Sequence, residues 1–348
     1  MLETTSPDVE FGLTQFFADS RTRASQYGEH YLALWDALAH AATGGKRIRP
    51  TLVLTAFTGL GGRDVALASQ VAVSFELLHT AFVIHDDVID RDLLRRGVAN
   101  IAGRFTDRAF ARGAGPDQAA VWATAAGILA GDLALSEAHR ILARLPIASE
   151  TRMQLLDLLD RAVFISAAGE LADVTNALTQ HPPGIDEVVA TLDQKTAVYS
   201  FEAPLQAGAV LASASPEAID ALGRFGRLVG VAFQLTDDLL GIFGDPAKTG
   251  KSVTADLREG KQTALLAHAR SVPGWDAIAP LVGKRDLTER EAQRARTHLD
   301  ACGARNAVEQ LARDYATSAI DALTESTLPL DLREKLTVLA ESSVSRSR

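Results

Sequence analysis

The stretch Ser74-Phe-Glu-Leu-Leu-His-Thr-Ala-Phe-Val-Ile-His-Asp-Asp-Val-Ile-Asp90 decides the architecture expected of this chain. Its apolar residues recur every three or four positions, the repeat of a helix, and it ends on aspartates. The same period continues on both sides and predicts helices over 9–27, 29–42, 48–59, 64–93, 117–142, 148–178, 185–212, 215–243, 261–271, 287–302, 304–325 and 329–344. Gly44-Gly45, Gly59 to Gly62 and His181-Pro-Pro-Gly184 separate them. No run alternates apolar and polar residues as a half-buried strand must, so the expected class is all-α. Nor does a Ser/Gly-rich linker divide the chain, which predicts one domain over 1–348 with mobile ends near 1–8 and 343–348.

Composition narrows the partners. The 348 residues carry 35 Lys+Arg against 44 Asp+Glu, a net charge of −9, with 47% hydrophobic and 23% charged residues. This is globular composition. An acidic balance without a basic tract argues against nucleic acid, because a phosphate backbone needs a positive footprint. Cys302 is the single cysteine, so no internal disulfide forms, and no Cys/His cluster has soft-metal spacing. The N-terminus lacks the basic and apolar regions of a secretory signal, and the expected compartment is the cytoplasm. The cleanest uncharged apolar stretch, Gln118 to Gly131, is shorter than the roughly 20 residues of a spanning helix, so no transmembrane segment is expected.

The aspartates carry the chemistry. On a helix Asp86 and Asp90 share a face while Asp87 sits about 100° round. Like charges at this spacing repel, and a helix C-terminus disfavours anions, so a cation would offset the cost. Oxygen-only ligands suit Mg²⁺ completed by substrate phosphate. Thr236-Asp-Asp-Leu-Leu-Gly241 echoes the pattern at the end of another long apolar helix. A solvated acidic face is the plainer alternative for either. Complementary charge sits in Gly44-Gly-Lys-Arg-Ile-Arg-Pro50 and Arg95-Arg96, where Lys46 and Arg49 offer point-charge and forked donors to a phosphate. His79 lies two turns before Asp86 on the same face. Gly244 to Lys261, rich in Lys, Gly and Asp, reads as a stretch able to close over a phosphorylated ligand. It does not match a Walker A loop, because Asp245 stands where that motif needs glycine.

From about Gly44 to Thr263, in this order of motifs, the chain resembles the all-trans polyprenyl diphosphate synthases, and among them the geranylgeranyl diphosphate synthases. The resemblance rests on Gly45-Lys-x-x-Arg-Pro50, Leu77-Leu-His-Thr80, Asp86-Asp-x-x-Asp90, Arg95-Arg-Gly97, Lys195-Thr196, Phe233-Gln-x-x-Asp-Asp238, Gly250-Lys251 and Gly260-Lys261. It implies a helical bundle around a deep central cavity, usually a homodimer. The implied enzyme is a Mg²⁺-dependent prenyltransferase joining isopentenyl diphosphate to an allylic diphosphate. It further implies Asp86, Asp90 and Asp237 as direct metal ligands supported by Asp87 and Asp238, and Arg95, Lys195 and Lys251 on the allylic diphosphate. Lys46, Arg49, His79 and Arg96 match the isopentenyl diphosphate pocket, Thr196 and Gln234 face the developing carbocation, and Lys261 contributes to loop closure. Where the common second motif has a third aspartate this chain has Gly241, which predicts weaker metal affinity.

The growing tail should run from the metals down the helix bearing Asp86, past Ala81 and Phe82. Small Ala81 leaves more depth than an aromatic would, which predicts geranylgeranyl diphosphate as product, with a longer polyprenyl chain as the alternative. A class I terpene cyclase would not need the second basic pocket, and five intact metal-site aspartates argue against a regulatory subunit of a heteromeric synthase.

Overall fold

The computed structural model describes residues 7–95, 97–178, 182–244 and 255–345. Helices dominate, as the class expectation has it: α1 (Pro7–Ala24), α2 (Glu29–Ala41), α3 (Ile48–Gly59), α4 (Val65–Ile89), α5 (Ile101–Ala111), which the sequence reading does not predict, α6 (Pro116–Ala143), α7 (Ser149–Leu178), α8 (Ile185–Leu192), α9 (Ala203–Leu211) and α10 (Pro216–Phe243). After these come α11 (Ala255–Glu259), α12 (Ala264–Ser271), α13 (Glu289–Ala301), α14 (Ala304–Thr324) and α15 (Leu330–Ser345). Local chemistry sets the boundaries. Asp64 caps α4 by accepting from the Leu67 N–H at 2.9 Å, and Ser215 caps α10 just ahead of Pro216. α4 stops at Ile89, short of the predicted 93, because Arg91 turns to a φ of 60°.

Two departures from the sequence expectation matter. A small antiparallel hairpin, β1 (Leu94–Arg95) with β2 (Val98–Ala99), pairs Leu94 with Ala99 and Arg95 with Val98. Two-residue strands are too short to show alternation. The second departure lies in the predicted helix 185–212, which is interrupted between α8 and α9 by a π-helical segment, Asp193–Glu202. The wider turns of a π-helix are uncommon and tend to occur at functional sites.

By their contacts the described residues form two compact units, one up to Leu159 with Ala207–Ser213, the other Asp160–Gln206 with the chain from Ala214 on. In the first, α4 is the core helix, packed along α6, α3 and α1. The Ser74 hydroxyl donates to the Ala138 carbonyl at 2.9 Å, and a Cβ at Gly131 would fall 2.1 Å from His85 Nε2, so the glycine leaves room for the His85 ring between the two helices. α4 and α6 are each long and apolar enough to cross a membrane by length and composition. The uncharged stretch ends at Gly131, as read from the sequence, and spanning length is reached only because α6 runs on through Asp132 and Glu137 to Ala143. In this fold α4 is a core element, with 72% of its apolar window buried.

In the second unit α10 packs against α14 and the π-helical segment around a core that includes Leu235, Leu239, Leu265, Leu299 and Val308. A Cβ at Gly226 would lie 2.7 Å from Glu202 Cα, and one at Gly230 would lie 2.6 Å from Ala197 Cβ. α10 therefore offers bare backbone to the widened turns. Arg227 of α10 bonds Asp193 at the start of the segment and lies 3.9 Å from Glu202 at its end, where Arg161 also donates at 2.6 Å.

Candidate active site

In the first unit the end of α4 carries three carboxylates of graded exposure: Asp87 is buried, Asp86 partly so, and Asp90 open. The electrostatic cost expected of this cluster is met by Arg95 on β1. Its Nε donates to Asp87 Oδ1 at 2.7 Å, and its Nη2 donates to Asp86 Oδ2 at 3.0 Å. Burial pushes the Asp87 carboxyl up, against the pull of Arg95. Burial alone would lower the Arg95 guanidinium, but Asp87 and then Asp86 hold it above its ordinary value. The hairpin thus has a purpose: Asn100, just after β2, donates to the Asp92 carbonyl at 2.7 Å, and the Asp92 N–H closes onto the Asp87 carbonyl at 2.8 Å. This fastens Arg95 over the acidic end.

The basic loop before α3 is shaped by positive φ at Gly44 and Gly45 and again, after Lys46, at Arg47, whose φ is 47°. This geometry separates neighbouring side chains. Lys46 is exposed and Arg49 partly so, whereas Arg47 turns inward, only 4% exposed. Arg47 Nε donates to Glu10 Oε1 of α1 and Nη1 to Glu76 Oε1 of α4, each at 2.7 Å. Sequence reasoning passed over Arg47 and Glu76. A signal was present, because Glu76 is the single acidic residue between Val65 and His85 and a buried glutamate needs a cation. His79 stands one turn after Glu76, partly buried, as does Phe82, while Ala81 has no exposed surface.

In the second unit Asp237 is exposed at the end of α10, and Asp238 is 2% exposed. Asp238 Oδ1 accepts from Lys261 Nζ and from Gln234 Nε2, both at 3.1 Å. Burial raises the Asp238 carboxyl, with Asp256 and Asp237 adding to the effect and Lys261 opposing it. The Asp238 charge in turn holds the Lys261 ammonium well above its usual range. Lys195 and Thr196 lie in the π-helical segment, both partly buried. Lys195 Nζ is 2.7 Å from Asp173 and 3.0 Å from Glu170, two α7 carboxylates that the motif reading did not include. Their i, i+3 spacing on α7 was the available signal. Arg96 and Lys251 lie outside the described residues.

The donors present fit a hard divalent cation. They are all carboxylate oxygens, and Asp238 Oδ2 is buried with no hydrogen-bond partner. Among the described residues no three His, Cys, Asp or Glu side chains form a metal cage by themselves.

Acidic helix ends suited to Mg²⁺ and separate basic groups on α-helical scaffolding are the equipment of an enzyme that handles diphosphates. The polyprenyl synthetase family signature matches residues 33–298. The chain is 33% identical to the geranylfarnesyl diphosphate synthase of Aeropyrum pernix over 87% of this chain and 91% of that one. It is 32% identical to the octaprenyl diphosphate synthase of Escherichia coli over 88% of this chain and 87% of that one. A solved geranylgeranyl pyrophosphate synthase from Corynebacterium glutamicum, complexed with isoprenyl diphosphate and magnesium, superposes with a TM-score of 0.90 at 31% identity, covering 97% of each chain. The chain belongs to the polyprenyl synthetase family. It is an all-α trans-prenyltransferase that condenses isopentenyl diphosphate with an allylic diphosphate.

Proposed function

We propose that this prenyltransferase releases geranylgeranyl diphosphate, working as a cytoplasmic homodimer with Mg²⁺ held by Asp86 and Asp90 at the end of α4 and by Asp237 and Asp238 at the end of α10. The observation that carries the product assignment is the likeness in fold, over 97% of each chain, to a geranylgeranyl pyrophosphate synthase solved with magnesium. The dimer is supported by large apolar side chains left exposed on α6, namely Val121, Ile128 and Leu129. A longer product is the second reading, favoured by the comparable identity to an octaprenyl diphosphate synthase.

Mg²⁺, when bound, supplies Lewis-acid neutralisation of the charge that develops on the departing diphosphate. The protein's own groups do the rest. Lys46, Arg49, His79 and Arg96 would hold isopentenyl diphosphate with basic groups and without metal, so that this diphosphate would be retained while the allylic one would be the leaving group. Arg95, Lys195 and Lys251 would orient the allylic diphosphate. The Gln234 amide nitrogen is engaged by Asp238, which leaves its carbonyl oxygen to face the electron-poor carbon together with the Thr196 hydroxyl. Lys261 would help close the site and exclude water that would trap the cation as an alcohol.

Product mass tests the chain-length assignment. Ala81→Phe should shorten the product below C20, and Phe82→Ala should admit longer ones. An unmoved distribution in both variants would sink the placement of these residues along the growing tail.

A further inference from the structure

One side chain of α10 reaches both ends of the π-helical segment Asp193–Glu202. Arg227 Nε donates to Asp193 Oδ1 at 2.9 Å and its Nη2 donates to Asp193 Oδ2, a forked pair on the first residue of the segment. The same Nε stands 3.9 Å from Glu202 Oε2 on the last residue. That oxygen is buried with no hydrogen-bond partner, while Glu202 Oε1 accepts from Arg161 of α7 at 2.6 Å. The bond to Asp193, ahead of every other influence, holds the Arg227 guanidinium above its ordinary value. Between these ends three glycines let neighbouring helices press on the segment. A Cβ on Gly169 of α7 would lie 2.3 Å from the Lys195 nitrogen, one on Gly230 2.6 Å from Ala197 Cβ, and one on Gly226 2.7 Å from Glu202 Cα. Lys195 and Thr196 thus sit between two points fixed by α10: Asp193, two residues before Lys195, and Ala197, directly after Thr196.

We propose that Arg227 is a positioning residue for prenyl transfer: by clasping both ends of the segment it sets the widened turns that present Lys195 to the allylic diphosphate and Thr196 to the electron-poor carbon. The inference rests on the roles proposed above for those two residues. Close packing against glycine is not directional, whereas a guanidinium fork on a carboxylate fixes both distance and angle. The Arg227 side chain is 44% exposed, and an ion pair so open to water adds little stability. Its effect on geometry is larger, since a misplacement of about 1 Å can cost about a hundredfold in rate. Activity should therefore suffer more than folding when the clasp is opened.

Steady-state kinetics with each substrate varied in turn, alongside urea unfolding, provide the test. Arg227→Gln and Asp193→Asn should each lower kcat and raise KM for the allylic diphosphate, a combined loss of roughly tenfold or more, with KM for isopentenyl diphosphate unmoved. The double variant should be no worse than either single one, because each change opens the same clasp. Arg227→Lys keeps the charge without the fork and should recover only part of the loss. Asp193→Asn keeps the shape of its side chain and carries the test if the Arg227 variants fold poorly. Stability lost in step with kcat while both KM values stay parental, or equal movement of both KM values, would assign Arg227 to the fold and overturn the proposal. Lys195→Gln separates the two readings. If it raises the allylic KM while Asp193→Asn and Arg227→Gln do not, this inference alone falls; if it leaves that KM unchanged, the role of Lys195 falls and this inference with it.

Discussion

Arg47 donates to Glu76 at 2.7 Å inside the first unit, both side chains buried, and so pins the basic loop to the helix that carries Asp86. The backbone at Arg47 is left-handed, which turns this arginine inward while Lys46 stays exposed. Removing one partner leaves a buried charge uncompensated, so Arg47→Ala and Glu76→Ala should each cost about 3–5 kcal/mol in urea unfolding, with the double variant costing less than the sum. Strictly additive losses would show that the pair is not coupled. In the folded fraction KM for isopentenyl diphosphate should rise more than KM for the allylic substrate.

Lys195 is held between Asp173 at 2.7 Å and Glu170 at 3.0 Å. A bond to a charged group is worth about 1.5–3 kcal/mol, so Asp173→Asn should raise KM for the allylic diphosphate roughly tenfold or more. KM for isopentenyl diphosphate should stay put. Equal movement of both constants would mean that Asp173 serves the fold and not Lys195.

Gly226 and Gly230 give α10 the bare surface on which the π-helical segment rests. The nearest neighbours of a Cβ at either position, under 3 Å away, are backbone or a packed alanine, which cannot swing aside. Gly230→Ala should therefore destabilise by about 1–3 kcal/mol, the cost of overpacking, and lower kcat because Lys195 and Thr196 ride on the displaced segment. A stable variant with parental kcat would contradict this account of the segment.

α13 carries a pH signature of its own. Lys284 first, then the backbone and hydroxyl of Thr288, hold the Glu291 carboxyl down to about 2 from its ordinary 4.5. A carboxyl depressed on folding contributes stability that is fully present above its unfolded value and is lost as pH falls through the folded one. The Tm gap between the parent protein and Glu291→Gln should hold constant at neutral pH, shrink below about 4.5 and close near pH 2. A gap independent of pH would assign the effect to packing.

Most of the helical plan was legible, because apolar period and caps such as Ser215-Pro216 act locally and announce themselves in order. The acidic and basic motifs were legible for the same reason. What escaped depends on partners distant in sequence. Nothing within Asp193–Glu202 announces a π-helix; Gly226 and Gly230 on α10, whose bare backbone lies against it, are as distant as Arg227. The pairing of Arg47 with Glu76 crosses 29 positions and depends on one left-handed residue.

The central claim is metal-dependent chain elongation, and one measurement addresses it most directly. Purified protein is incubated with isopentenyl diphosphate and dimethylallyl, geranyl or farnesyl diphosphate, with Mg²⁺ or with chelator, and products are identified by mass. The account predicts consumption of isopentenyl diphosphate with each primer only when Mg²⁺ is present, with products ending at C20. Isopentenyl diphosphate left unconsumed in the presence of Mg²⁺ and an allylic primer would contradict it.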